Sequence, residues 1–211
     1  MNNNNKSKKD IFTLAKKMQK PIIKSGFILT FFILAYSLLF STDVYELFYF
    51  TDKSFLYVKG SEIYFLVQDF NKLLFVCSIL FIISGISMLV FFTHTRRKYY
   101  LSNYITSILF SIIAVVLAII IIVNVVNFRI EYLKVDFEQY YKNTQDFPNY
   151  RYVKSTFYFD LGIVLGVLML IEAVLVVVNL IFKTKMMKKE EKMDKKVYAL
   201  AQERLSEVHH G

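Results

Sequence analysis

Apolar residues fall into four continuous runs, residues 22–41, 73–92, 105–126 and 161–182, each 20 to 22 residues long. As α-helix, about 20 residues cross a hydrocarbon core of about 30 Å. A bilayer accepts only helices or closed barrels as spanning structures, and a barrel would show alternating segments of about ten residues. The runs do not alternate. They predict an all-α membrane protein, a four-transmembrane-helix bundle.

A second pattern lies inside the runs. In the first, Gly26, Thr30, Ile33 and Ser37 recur at i, i+4, i+7 and i+11. Ser107, Ser111, Ala114 and Ala118 repeat that spacing in the third. Ser78 and Gly85 share a face of the second, flanked by Cys77 and Ser84, and Gly162, Gly166 and Ala173 align in the fourth. Small residues on one stripe let helix backbones approach closely, which is how membrane helices gain contact without a hydrophobic drive between them. The stripes are read as packing seams, facing one another, further copies of the chain or a partner.

The segments around the runs differ in kind. Residues 1–10 are polar and low in complexity and read as a disordered basic tail. Residues 11–20 place Ile11, Leu14, Ala15 and Met18 at helical spacing, with Lys16, Lys17 and Lys20 elsewhere on the surface. They predict an amphipathic helix on the inner leaflet, with a break at Pro21 before the first span. The longer intervening segments, 43–72 and 129–160, hold 19 of the chain's 36 aromatic residues. A small aromatic-rich extracellular cap is expected from them, with Tyr45, Phe48, Tyr49 and Phe50 as interfacial anchors. Residues 55–67, FLYVKGSEIYFLV, suggest a β-hairpin turning at Lys59-Gly60. Residues 131–159 read as a short helix, a turn near Pro148 and an extended piece. Residues 183–211 lack proline and, before Gly211, glycine, and predict a basic helical tail continuing the fourth span.

Charge orients this plan. Residues 1–24, 94–98 and 183–211 carry 18 Lys and Arg, whereas 43–72 and 129–160 carry eight, with ten acids. The positive-inside rule puts both termini and the short linker in the cytoplasm. Lys16, Lys17, Lys20, Arg96, Arg97, Lys98, Lys183, Lys185, Lys188 and Lys189 then meet anionic lipid headgroups, which accounts for the net charge of +9 without nucleic acid. The first run is too long for a typical signal-peptide core and no small-x-small site follows it. The single cysteine, Cys77, excludes a disulfide within the chain and reads as a packing residue. Heavy use of Asn, Lys, Ile, Phe and Tyr suggests an AT-rich, bacterial genome and a plasma membrane setting.

One carboxylate interrupts the fourth run. Glu172 sits near its middle, where an ionisable group is costly and marks a functional hypothesis by default. Lys24 and Lys72 read as helix ends, which leaves hydroxyls as partners at that depth: Ser84, Ser78, Ser111 or Tyr36. Asn179, two turns on, lies on the same side of the helix as Glu172. With Asn124 and Asn127 it suggests a polar path. The competing reading is a hydrogen-bonded carboxyl that locks helix packing.

Chemistry is otherwise sparse. There is no nucleotide-binding glycine motif, zinc-protease motif or nucleophile elbow, and His209 and His210 have no ligand set around them. No cofactor or metal is expected and enzymatic activity is the least favoured class. The sequence suggests an accessory or regulatory subunit that binds a protein partner in the membrane or at its outer face. The alternative is a homo-oligomeric channel or small transporter using Glu172. Spans without proline and without a visible internal repeat speak against a transporter.

Overall fold

The computed structural model describes residues 18–39, 63–94, 99–136 and 155–209. Among them are four helices and no strand: α1, Met18–Leu39; α2, Ile63–His94; α3, Leu101–Lys134; and α4, Phe157–His209. All four are long and apolar enough to cross a membrane.

Each neighbouring pair is antiparallel. The Phe81 and Phe110 rings stack at 5.0 Å between α2 and α3, and Phe70 meets Phe128 edge-on one end away. Asn103, in the first turn of α3, donates from Nδ2 to the Phe91 carbonyl at the end of α2 (2.9 Å), while its Oδ1 accepts from the Tyr100 N–H (3.0 Å). That one side chain satisfies an orphan donor at the start of α3 and ties the helix to α2. Between α3 and α4, Arg129 Nε donates to Asp160 Oδ1 (2.8 Å) at one end, and the Tyr104 and Thr184 hydroxyls pair at 2.9 Å near the other. α1 closes the ring. Its Ser37 hydroxyl lies 3.4 Å from that of Ser78 on α2, and its Tyr36 hydroxyl donates to the Tyr158 carbonyl of α4 (3.1 Å). The start of α1, the α2–α3 connection and the exit of α4 therefore share one end, the terminal end. The opposite end is the loop end.

The small-residue stripes face inward. Gly26, Thr30, Ile33 and Ser37 are buried, as are Ser78, Gly85, Ser107, Ser111, Ala114, Ala118, Gly162, Gly166 and Ala173. A Cβ on Gly85 would come 2.8 Å from Thr30 Cγ2, and one on Gly166 would come 2.6 Å from Ile122 Cγ1. Large side chains fill the space between the seams: Ile33, Tyr36, Phe81, Phe110, Leu117 and Ile121. Outward positions are apolar too. Phe32 is 59% exposed, Ile83 55% and Val174 62%. A bundle with an apolar shell around its core suits lipid on the outside, since water would demand a polar surface there.

Three expectations change. The second arm of the proposed hairpin, residues 63–67, is the first turn of α2, which begins ten residues before its apolar run. Aromatic and β-branched residues suit a strand, but here Ile63 and Val67 stand one turn apart and are buried on the same face of the helix. The rest of the hairpin and most of the aromatic segments lie outside the described residues. α1 runs unbroken through Pro21 within the described residues. The start of the short helix expected from residue 131 is the continuation of α3 to Lys134, and residues 137–154 of that stretch lie outside the described residues. As expected, α4 continues unbroken beyond its apolar run, and Glu191 pairs with Lys195 at 3.0 Å on its exposed extension.

Candidate functional site: the Glu172 carboxylate between α1 and α4

Glu172 faces the bundle, 6% exposed, and its partner is Ser25 of α1. The Ser25 hydroxyl lies 3.2 Å from Oε1 and 3.1 Å from Oε2, and 2.9 Å from the Ile22 carbonyl oxygen one turn back on its own helix. One hydroxyl proton serves these three acceptors. Donated to the carboxylate, it bridges α1 and α4. Donated to Ile22, it leaves a serine lone pair open to a proton on Glu172.

Gly26 makes this contact possible. A Cβ there would stand 2.9 Å from Glu172 Oε1, 3.2 Å from Phe110 Cζ and 3.3 Å from Met88 Cε. The carboxylate thus occupies the space of a missing side chain, with an aromatic ring from α3 and a thioether from α2 behind it. Among the described residues no Lys or Arg comes within ion-pair distance of Glu172.

The hydroxyls predicted as partners are engaged elsewhere. Ser84 and Ser78 donate to the carbonyls of Phe81 and Phe75 on their own helix, and Ser111 to that of Ser107. Tyr36 sits at the loop end against Tyr158. Ser25 escapes a reading of the sequence because it adjoins Lys24, near the start of the apolar run. The informative signal was the Ser25-Gly26 pair: a hydroxyl beside a residue with no side chain.

Asn179 is buried two turns from Glu172, and Val176, wholly buried, stands between them. Asn124 turns back on its own helix and donates to the Ile120 carbonyl (2.7 Å), while Asn127 is exposed. These asparagines do not form a continuous line with the carboxylate. At the terminal end, Lys183 is also buried, with its ammonium 5.3 Å from the centre of the Tyr99 ring. Lys20, Lys185, Lys188 and Lys189 are exposed, and Lys16, Lys17, Arg96, Arg97 and Lys98 lie outside the described residues. An open groove of about 440 Å³ runs between α3 and α4 near this end, lined by Tyr104, Ile108, Val177, Ile181 and Thr184 with Lys188 at its rim. It does not include Glu172. No group of three or more metal-ligating side chains occurs among the described residues.

No protein family, curated protein or solved structure matches the chain.

Proposed function

We propose that this chain is a small polytopic protein of the cytoplasmic membrane, with both termini inside, that acts by binding rather than by catalysis, as an accessory or regulatory subunit of a membrane assembly. The observation that carries the reading is the engagement of Glu172. Its carboxylate is committed to Ser25 across a helix interface, beneath Gly26, with Phe110 and Met88 behind it. An ion-handling carboxylate needs access to water or to a relay, whereas this one is 6% exposed and backed by packing groups, with its hydroxyl partner Ser25 at the outer edge of the contact. The one-sided basic balance supports the cytoplasmic placement of the termini. The exposed extension of α4 and the aromatic segments are the natural contact surfaces for a partner, and the lysines beside the membrane suit anionic headgroups.

Purification from native membranes in mild detergent, with mass spectrometry of what accompanies the chain, tests this. A stoichiometric partner is the expected result. A pure homo-oligomer whose ion flux in liposomes is abolished by Glu172→Gln would replace the reading with a channel or transporter.

A further inference from the structure

Four buried polar side chains gather at the terminal end. Gln19 lies at the start of α1, Tyr99 in the α2–α3 connection, and Asn179 and Lys183 one turn apart on α4, each between 4% and 7% exposed. The Lys183 ammonium is 5.3 Å from the centre of the Tyr99 ring. Burial raises the Tyr99 phenol and the Asn179 amide pulls it the other way, so these two groups are side by side. Gln19 reaches the same level by register. Gly26 of α1 packs against Glu172 of α4. Gln19 is seven positions before the one and Asn179 seven after the other, two turns in the same direction along antiparallel helices. Gly26 also packs against Met88 of α2, and two turns on from Met88 that helix has just ended, at His94, where the connection to Tyr99 begins.

Gln19 Nε2, Tyr99 Oη and Asn179 Nδ2 are buried and have no hydrogen-bond partner among the described residues. The two amide nitrogens can only donate, and the phenol brings a proton of its own. A buried donor without an acceptor loses its hydration without compensation, and such groups are rare in folded proteins. No carboxylate of the described residues stands at this level. α1 has no acid, those of α2 and α3 are at the loop end, and on α4 the nearest, Glu172 and Glu190, are seven positions from Asn179 and from Lys183 respectively. A water here would accept hydrogen bonds but bring two further protons. An anion brings acceptor capacity alone, with a charge opposite to that of Lys183.

We propose that Gln19, Tyr99 and Asn179, with Lys183 beside them, form a binding site for a small monovalent anion of the halide class. One cation among neutral donors suits a single negative charge better than a phosphate dianion. Side chains this deeply buried suit a free ion rather than a headgroup tethered to a lipid. Lys185 and Lys188, exposed on α4, remain for headgroups. The bound ion joins the start of α1 to α4 and to the α2–α3 connection, so the terminal end tightens as anion binds. The site is independent of the accessory-subunit reading and goes beyond it.

The test follows thermal unfolding of the full chain in detergent as chloride replaces gluconate at constant ionic strength. A saturable rise in unfolding temperature is expected, and bromide should reproduce it. Asn179→Leu and Lys183→Met should each raise the half-saturating chloride concentration at least about tenfold, since hydrogen bonds to a charged group are the stronger kind. Tyr99→Phe should raise it by a smaller factor, and Lys185→Gln should leave it unchanged. Crystals grown in bromide give a second readout that needs no variant to fold: an anomalous peak within hydrogen-bond distance of Gln19 Nε2 and Asn179 Nδ2. A response that does not saturate, or that Asn179→Leu, Lys183→Met and Tyr99→Phe leave intact, overturns the proposal, as does a bromide map with no peak at this site. Stabilisation by phosphatidylglycerol in gluconate, without a response to chloride, also overturns it and identifies a lipid headgroup as the ligand.

Discussion

Ser25 and Glu172 are 147 positions apart in the chain and 3.1 Å apart in space. Interhelical hydrogen bonds in membranes are modest, about 0.6 kcal/mol on average and about 1.7 at most. The contact therefore specifies register more than it adds stability. A double-mutant cycle with Ser25→Ala and Glu172→Leu should give a coupling of about 1 kcal/mol by denaturation in detergent. Glu172→Gln, which still accepts from Ser25, should stay within about 1 kcal/mol of the parent. A coupling near zero would mean that the hydroxyl is committed to the Ile22 carbonyl and that packing alone holds α1 to α4.

Tyr36 and Gly162 are a tighter pair. A Cβ on Gly162 would overlap the Tyr36 hydroxyl and stand 2.8 Å from the ring carbon that bears it. The ring cannot retreat freely, since its hydroxyl donates to the Tyr158 carbonyl and the residue is 2% exposed. Gly162→Ala should cost about 1–3 kcal/mol, the usual penalty of overpacking. Tyr36→Phe removes the overlapping oxygen and should recover part of that loss, despite forfeiting its own hydrogen bond. Measured together, the two substitutions should be less harmful than the sum of their separate effects.

The spans and the small-residue seams were legible because both are local: an apolar run of bilayer length, and small side chains at helical spacing. Gly26, Thr30 and Ser37 read as one stripe in the sequence and lie on one buried face in the fold. The partner of Glu172 was not legible. Which serine meets it depends on the register of α1 against α4, and that register is set by contacts such as Tyr36 with Tyr158, 122 positions apart. The strand reading of residues 63–67 failed because a short apolar and aromatic segment fits either period until its length is known, and here it opens a 32-residue helix.

The sidedness proposed from the charge balance has a direct test. In a Cys77→Ser background, Lys134→Cys at the loop end should react with a membrane-impermeant maleimide in intact cells. Lys189→Cys on the exposed extension of α4 should react only after permeabilisation. Both parent side chains are exposed, so access to the lysine positions is not limited by packing. The opposite pattern would invert the topology and remove the lysine collar from the anionic leaflet.

Tyr99 supplies a pH signature at the terminal end. Its side chain lies between Phe92 and Tyr104, each ring about 6.1 Å away, and its N–H donates to Met187 Sδ. Burial pushes the phenol up to about 12, with Asn179 pulling weakly the other way and Tyr104 adding to the rise. The ordinary value is 10.0, so the folded protein holds this proton more tightly than the unfolded chain. Its contribution to stability is complete below pH 10 and is lost as pH rises through about 12. Subtracting the phenolate absorbance of Tyr99→Phe from that of the parent should leave a single titration centred near 12. A midpoint near 10 would place the ring in water and detach the α2–α3 connection from α4, while Tyr99→Phe itself should fold normally and lose the alkaline drop in stability.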